Sequence, residues 1–428
     1  MSDLHVKYLL VGGGVAAFSA CAAIRQRDPQ GALMLVGQEI NRPYYRTNLS
    51  KSFLRRQSGR SALFTAEPDW FAAHGVQLRT GCRAIHLDPG RAICTLDSGQ
   101  NISYDKLLLA TGATPRPLTI PGGTMPNIYT PRSIDDFEQL HTAIDKAKSE
   151  GHRQGDTKQR GVATVIGGGL LGVEIASSLT QAGILVDLIV SARHPWMKFA
   201  GEATGQFLAH YLIRHGVQLH ESVRASRIEG DGRAQRVVLS DGRTLVSDLV
   251  ISAIGTIPSK DLLRGTGIIA EKAILADEYC RTNEPNIYAA GDCAAVRDGI
   301  FGKHRPAEQW DTAAITGEIA GNNIAGATVK MTAVTSFTTE AFGLTARAWG
   351  QNKHLDHRLL RGTPNVESPE FLEIGISSEG VISQILAVGP AGAGEYPLLE
   401  ELIRRRVSIA GKEEMLKDPA VPLAALLA

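Results

Sequence analysis

At 428 residues the chain is too long for one ordinary domain, and two or three domains are expected. Its composition, 43% hydrophobic and 21% charged, is that of a soluble globular protein. With 45 basic against 44 acidic side chains the net charge is +1, so nothing in the balance calls for nucleic acid or an acidic membrane surface, and no run of ~18 apolar residues exists to span a bilayer.

The opening Met1-Ser2-Asp3-Leu4-His5 runs directly into an apolar stretch and lacks the pattern of a signal peptide. A strand over Val6–Val11 leads into Gly12-Gly13-Gly14, a helix through Arg27, a turn at Asp28-Pro29-Gln30-Gly31 and a strand over Leu33–Val36. This is a βαβ unit, which implies a parallel sheet with a right-handed crossover. In Gly12-x-Gly14-x-x-Ala17 the first glycine makes the tight turn, the second lets backbone approach a pyrophosphate, and the small third residue lets helix and strand pack. Ala16 lies inside the same motif. An acid after the second strand would hold ribose hydroxyls; Glu39 is the candidate, with Gln38 beside it.

Further along, Tyr104 to Leu109 reads as a strand ending in the small-residue turn Ala110-Thr111-Gly112. Lys146 to Arg160 is polar, charged and glycine-containing and reads as an exposed loop. The glycine grammar then returns: a strand over Val162–Ile166, Gly167-x-Gly169-x-x-Gly172, a helix through Ala182, Gly183 as its stop, and a strand over Ile184–Val190. Two such units imply two dinucleotide sites. After the second, no acid follows; Ala192 is succeeded by Arg193, His194 and Lys198. Arginine accommodates the 2′-phosphate of NADPH where a carboxylate favours NADH. One charge-assisted hydrogen bond, worth about 1.5–3 kcal/mol, would give roughly a ten- to hundredfold preference. The cluster therefore leans toward NADPH, the alternative being an exposed turn that is merely basic. A last strand, Ile287 to Ala289, ends at Ala290-Gly291-Asp292, where the carboxylate can accept from a ribityl chain and the glycine admits the ligand. A buried Asp at an apolar strand end is costly unless bonded.

Past Lys330 the glycine grammar stops. Apolar and polar residues alternate, as in Phe371-Leu372-Glu373-Ile374-Gly375-Ile376 and Gly380-Val381-Ile382-Ser383-Gln384-Ile385, and a helix follows from Pro397 to Arg406. That reads as a small antiparallel sheet with helices. The basic runs Arg55-Arg56 and Arg404-Arg405-Arg406 read as solvated helix faces. The five cysteines, Cys21, Cys82, Cys94, Cys280 and Cys293, are scattered, with no CxxC and no zinc spacing, which suits a reducing, cytoplasmic setting. His354-x-x-His357 reads as a surface pair, and no metal site is expected.

These motifs together resemble the glutathione-reductase-like flavoproteins, and within them the ferredoxin-reductase and apoptosis-inducing-factor branch. Pro43-Tyr44-Tyr45-Arg46-Thr47-Asn48-Leu49-Ser50-Lys51 is similar to that branch's P-Y-x-R-P-P-L-S-K, with Thr47-Asn48 in place of two prolines. The resemblance spans essentially the whole chain. It implies FAD contacts at Arg46, Lys51, Arg132 and Asp292, with Glu308-Gln309-Trp310 and Phe337 near the isoalloxazine; Ala84 is a further candidate FAD contact. It implies nicotinamide-nucleotide contacts at Gly168, Gly169, Leu170, Leu171, Glu174, Lys198 and Gly255, beside Gly167 and Gly172 of the glycine motif and Arg193 of the basic cluster. Lys51 and Glu174 are expected to pair where hydride crosses from the nucleotide to the flavin. The disulfide reductases of this fold carry cysteine after the first strand pair; this chain has none between Cys21 and Cys82, so electrons are expected to leave the flavin directly.

The fold expected is α/β, with two Rossmann-like domains plus a C-terminal α+β domain. The FAD domain takes 1–118 and 247–330, the NAD(P)H domain 119–246, and the C-terminal domain 331–428. The activity expected is an FAD-dependent NAD(P)H oxidoreductase serving a small iron–sulfur electron-transfer protein such as a ferredoxin or rubredoxin, as monomer or homodimer. The alternatives are a redox-sensing flavoprotein like apoptosis-inducing factor and a monodehydroascorbate-type radical reductase.

Overall fold

The computed structural model describes residues 4–150, 161–306 and 308–427. The described parts of Met1–Tyr45, Arg60–Thr114 and Ile257–Thr335 form one compact unit, and those of Arg46–Gly59, Pro115–Thr256 and Ser336–Ala428 a second.

Among the described residues, the first unit carries a seven-stranded sheet. Its parallel part runs Val76–Arg79, Leu33–Val36, Leu4–Val11, Asn101–Leu109 and Ile287–Ala289, and the antiparallel Ile93–Leu96 and Ala84–Asp88 extend it from Asn101–Leu109. Leu33–Val36 is buried along its whole length, as a central parallel strand should be. The helix Val15–Arg27 presents Ala16, Ala17, Ala20 and Cys21 to the core. Those small side chains bring it close to the helix Trp310–Ile324, where a Cβ on Gly317 or Gly321 would stand 2.7 Å from the Cα of Ala16 or Ala20.

The second unit holds a parallel sheet in the order Gln218–Glu221, Leu185–Val190, Val162–Ile166, Leu249–Ser252, Ile128–Tyr129. It also holds a three-stranded antiparallel sheet of Ala225–Glu229, Arg236–Leu239 and Thr244–Val246. A further antiparallel sheet runs Ser336–Ala341, Leu344–Gly350, Ile382–Val388, Phe371–Ser377 and Leu355–Arg361, followed by the helix Tyr396–Arg404. The α/β class and both βαβ units expected from the sequence are therefore present.

Two expectations need correction. The exposed loop expected over 146–160 does not begin at Lys146: a helix, Ile134–Glu150, runs through the first third of it, and 151–160 lie outside the described residues. Ile134, Phe137, Leu140, Ile144 and Ala147 bury one face at helical spacing, while Asp135 and Asp136 sit in the first turn and Lys148 in the last, the charge order a helix dipole favours. The alternation in the C-terminal strands is also not an inside–outside pattern. Phe371–Leu372–Glu373–Ile374 and Ile382–Ser383–Gln384–Ile385 are buried throughout. Glu373 is tolerated there because it is fully bonded: it accepts from Arg358 Nη1 (2.6 Å), Thr204 Oγ1 (2.5 Å) and the Gly201 amide (2.8 Å).

Candidate functional site

The two glycine turns place most of the expected residues. Gly12 sits at φ +145°, a backbone open only to glycine, and a Cβ there would lie 2.5 Å from the carbonyl carbon of Ala110. The ends of three strands are laced around it: the Gly12 amide donates to Val36 O (2.8 Å), the Ala110 amide to Val11 O (2.8 Å) and the Ala290 amide to Leu109 O (3.0 Å). Gly291 approaches Ala16 so closely that a Cβ would stand 2.9 Å from that of Ala16, and its amide donates to Thr316 Oγ1 (3.1 Å). Thr111 Oγ1 donates to Ser259 O (3.0 Å), fixing the turn through Gly112. Gly12, Ala16, Ala110, Gly291 and Asp292 are thus gathered at one end of the first unit's sheet, as the strand ends predicted.

These residues fit a dinucleotide. Space is open in front of Gly14, which begins the helix Val15–Arg27 with no side-chain cap and no acid in its first turn, so the first amides point outward with the positive end of the helix dipole. Asn41 Nδ2, Trp310 Nε1 and Thr312 Oγ1 are buried without a hydrogen-bond partner among the described residues, an arrangement that a polar ligand would satisfy. Gln309 begins the helix Trp310–Ile324, next to Glu308, and the Trp310 ring packs on Tyr45 at 5.5 Å. Glu39 is held by Tyr44 Oη (2.6 Å), while Gln38 is exposed and Ala84 opens its edge strand half-buried.

In the second unit Gly167 lies at φ +128° against the Ala253 carbonyl, and Gly172 packs on the Gly167 carbonyl, whose carbon a Cβ would meet at 2.9 Å. Space is open in front of Gly169, and the helix Leu170–Gln181 again starts with no side-chain cap. Leu170 and Leu171 form its half-buried first turn. Gly255 (φ +103°) accepts from the Arg116 amide (2.9 Å).

Lys51 and Glu174 are an ion pair. Lys51 Nζ stands 2.7 Å from Glu174 Oε1, with both side chains at least 85% buried. The segment carrying Lys51 is a tight turn, Arg46–Asn48, then a wide one, Leu49–Phe53, broken at Lys51 itself (φ −112°, ψ −109°). Glu174 also accepts from Ser50 Oγ (2.6 Å) and Thr339 Oγ1 (2.7 Å), and Lys51 donates to Thr47 O (2.9 Å). Ser178 Oγ donates to Ser50 O (2.7 Å), so the helix grips the same segment twice. Arg46 reaches Arg132 O (3.1 Å), and the Phe337 ring meets Phe199 edge-on at 5.1 Å. The partners Ser50 and Thr339 were not anticipated. Ser50 adjoins Lys51 in the loop motif and was readable from it; Thr339 comes from a distant strand and had no local signature.

The basic cluster is not a bare phosphate clamp. Arg193 Nη1 lies 3.0 Å from Glu202 Oε1; His194 lies 2.8 Å from Glu221 and 3.2 Å from Glu202. The exposed Lys198 offers its backbone carbonyl to Asn352 Nδ2. The structure gives the lean toward NADPH no support. All five cysteines are free thiols, and burial pushes Cys21 and Cys94 up to about 12 and Cys280 and Cys293 upward as well.

Comparison with known proteins accords with this geometry. The family model for pyridine nucleotide-disulphide oxidoreductases matches residues 6–317. The ferredoxin–NAD(+) reductase component of the biphenyl dioxygenase system of Paraburkholderia xenovorans is 28% identical, over 98% of this chain and 97% of its own length. The rubredoxin–NAD(+) reductase of Pseudomonas putida is 27% identical, over 88% of this chain and 94% of its own. The fold is shared with a chain of the covalent putidaredoxin reductase–putidaredoxin complex, at TM-score 0.90, 24% identity and 99% coverage of each chain. The resemblance drawn from the sequence holds: the chain belongs to the pyridine nucleotide-disulphide oxidoreductase family.

Proposed function

We propose that this chain is an FAD-dependent NADH reductase that delivers electrons one at a time to a small redox protein of the ferredoxin or rubredoxin type. The observation that carries the reading is one chain with two glycine turns, each with open space before its second glycine, in company with a buried lysine–glutamate pair. Relatives of nearly full-length match whose names are ferredoxin–NAD(+) and rubredoxin–NAD(+) reductases support the acceptor and the nucleotide. Bound FAD would supply the chemistry that joins a two-electron hydride donor to a one-electron acceptor. The chain's residues would bind and orient: Gly12, Gly14, Ala16, Ala17, Gly112, Gly291 and Asp292 on FAD, and Gly167 to Gly172 on the nucleotide. Lys51 would hold a fixed positive charge against the ring that gains electrons, which lowers the cost of negative charge developing there. Two of its three protons serve Thr47 and Glu174, whose carboxylate is itself aimed by Ser50 and Thr339.

The division proposed is FAD binding by 1–118 and 247–330, nucleotide binding by 119–246, and a C-terminal domain over 331–428. Five free thiols suit a reducing compartment, and no helix among the described residues is long and apolar enough to cross a membrane. The test is anaerobic reduction by NADH, followed by turnover with a ferredoxin or rubredoxin coupled to cytochrome c. Mass identification of heat-released ligand accompanies it. FAD with rapid coupled turnover is expected; FMN, no flavin in folded protein, or reduction without turnover to any iron–sulfur protein overturns the reading.

A further inference from the structure

The strand Leu185–Val190 ends beside the second glycine turn, and the chain then folds back over that turn. The Gly167 amide donates to Ile189 O (2.9 Å), the Trp196 amide donates to Gly168 O (2.9 Å), and a Cβ on Gly168 would stand 2.7 Å from Val190 Cγ1. Trp196 takes a left-handed backbone (φ +63°) to do this, a strained conformation for a buried aromatic residue. Residues 191–196 therefore rim the place where the adenosine end of a dinucleotide meets this fold.

The acid that usually stands at that strand end is missing, with Ala192 in its region. The neighbouring strand Gln218–Glu221 is tied to the same turn, with the Ser222 amide donating to Ala192 O (2.9 Å) and the Val223 amide to Val190 O (3.3 Å). That connection delivers Glu221 to His194 at 2.8 Å. From the other side Glu202, first residue of the helix Glu202–Arg214, meets both Arg193 (3.0 Å) and His194 (3.2 Å).

We infer that Glu221, aided by Glu202, is the specificity-determining acid of the nucleotide site, replacing from the adjacent strand the carboxylate that the second strand lacks. Arg193 and His194 are already engaged by the two carboxylates, so a 2′-phosphate would have to displace these partners and meet their negative charge, while a 2′-hydroxyl finds an acceptor. Arg193 and His194 are the elements of a phosphate clamp, held out of that role by their partners. The assignment rests on the NADH reading above.

The test uses the flavin-loaded protein and its E221Q, E202Q and E202Q/E221Q forms, with the R193A change added to the last. Steady-state reduction by NADH and NADPH is measured, and calorimetry follows binding of ADP-ribose and its 2′-phosphorylated form. The double substitution should cut the NADH-to-NADPH ratio of kcat/KM by about tenfold or more through KM, because it removes an acceptor and releases a cation. The 2′-phosphorylated ligand should gain affinity, and R193A should abolish that gain. Wild-type protein that prefers NADPH overturns the NADH reading itself. Wild-type NADH preference with an unchanged ratio and unchanged calorimetry in E202Q/E221Q overturns the assignment alone.

Discussion

Gly12 and Gly167 hold the same place in two copies of one local grammar, yet their surroundings differ in kind. In the unit of Gly12 the close contacts are small and apolar: Ala110 against Gly12, Ala16 against Gly291, and a second helix seated on the first through Gly317 and Gly321. Around Gly167 the helix packs on its own turn through Gly172, and the rim beyond is charged and exposed at Arg193 and Glu202. Buried hydroxyls on the second helix, Ser177 and Ser178, reach out to Phe342 and Ser50. A close-packed apolar frame suits a resident cofactor that does not leave. A wet rim of exchangeable ion pairs suits a nucleotide that binds and departs on each turnover. The glycine motif alone does not separate these cases; what packs behind it does.

The sharpest way to break the comparison is to add one carbon to each turn. In Gly12→Ala the new Cβ strikes the Ala110 carbonyl in a backbone region closed to alanine, and overpacking plus strain should cost roughly 3 kcal/mol or more. Flavin should be lost and the melting temperature should fall steeply. Gly172→Ala strikes the Gly167 carbonyl in the other unit, at a comparable cost, and should leave flavin bound while abolishing reduction by nucleotide. Flavin retained in Gly12→Ala, or lost equally from both variants, would dissolve the distinction between the two cradles.

The next effect concerns the pair on the second unit's helix. Glu174 is 6% exposed, and removing one partner of a buried ion pair leaves an uncompensated charge at ~3–5 kcal/mol. Lys51→Met should slow anaerobic flavin reduction roughly a hundredfold, the scale expected when a preorganised charge is lost from a reaction centre. Thr339→Val removes one hydrogen bond to Glu174 and should slow it less, about tenfold. Reduction at the wild-type rate in flavin-loaded Lys51→Met would take the pair out of the mechanism. If Thr339→Val proved as damaging as Lys51→Met, the pair would be structural rather than electrostatic.

Both glycine turns, their flanking strands and the Lys51–Glu174 pair were legible in the chain because each is encoded locally or carried by a loop motif. The turn at Gly12 needs a glycine wherever the fold places it, and the strand Leu33–Val36 announces itself by being wholly apolar. Beyond Ser50, the partners of those residues were not legible. Thr339 lies 165 residues beyond Glu174, and Glu202 and Glu221 reach Arg193 and His194 from a helix and a neighbouring strand. Reading Arg193, His194 and Lys198 as a basic cluster counted the charges on one loop and missed those that tertiary folding brings against it. The helix Ile134–Glu150 is hard to read for a related reason: the polar run at its C-terminal end masks a buried stripe already present from Ile134.

The smallest effect sharpens the comparison by watching one unit only. Cys21, Cys82, Cys94, Cys280 and Cys293 all fall in the first unit, so thiol chemistry reports on it and not on the second. Only thiolate attacks a disulfide reagent, and burial holds Cys21 and Cys94 as neutral thiols up to about 12. At pH 8 these buried thiols should react only when the unit opens, whereas the half-buried Cys82 should react directly. Removing FAD should speed labelling of the buried four, each ~1.4 kcal/mol of lost protection giving a tenfold rise, while adding ADP-ribose should change nothing. The same raised values fix a pH dependence. Below the ordinary thiol value of 9.0 both folded and unfolded chains keep their protons, and the contribution is constant. Between 9.0 and about 12 the unfolded chain loses protons that the folded one retains, so stability should fall as pH rises, by up to ~1.4 kcal/mol per thiol per pH unit. Rapid labelling of all five cysteines in flavin-loaded protein at pH 8, or a melting temperature flat across that alkaline range, would show that the first unit's core is not the close-packed structure that its burial implies.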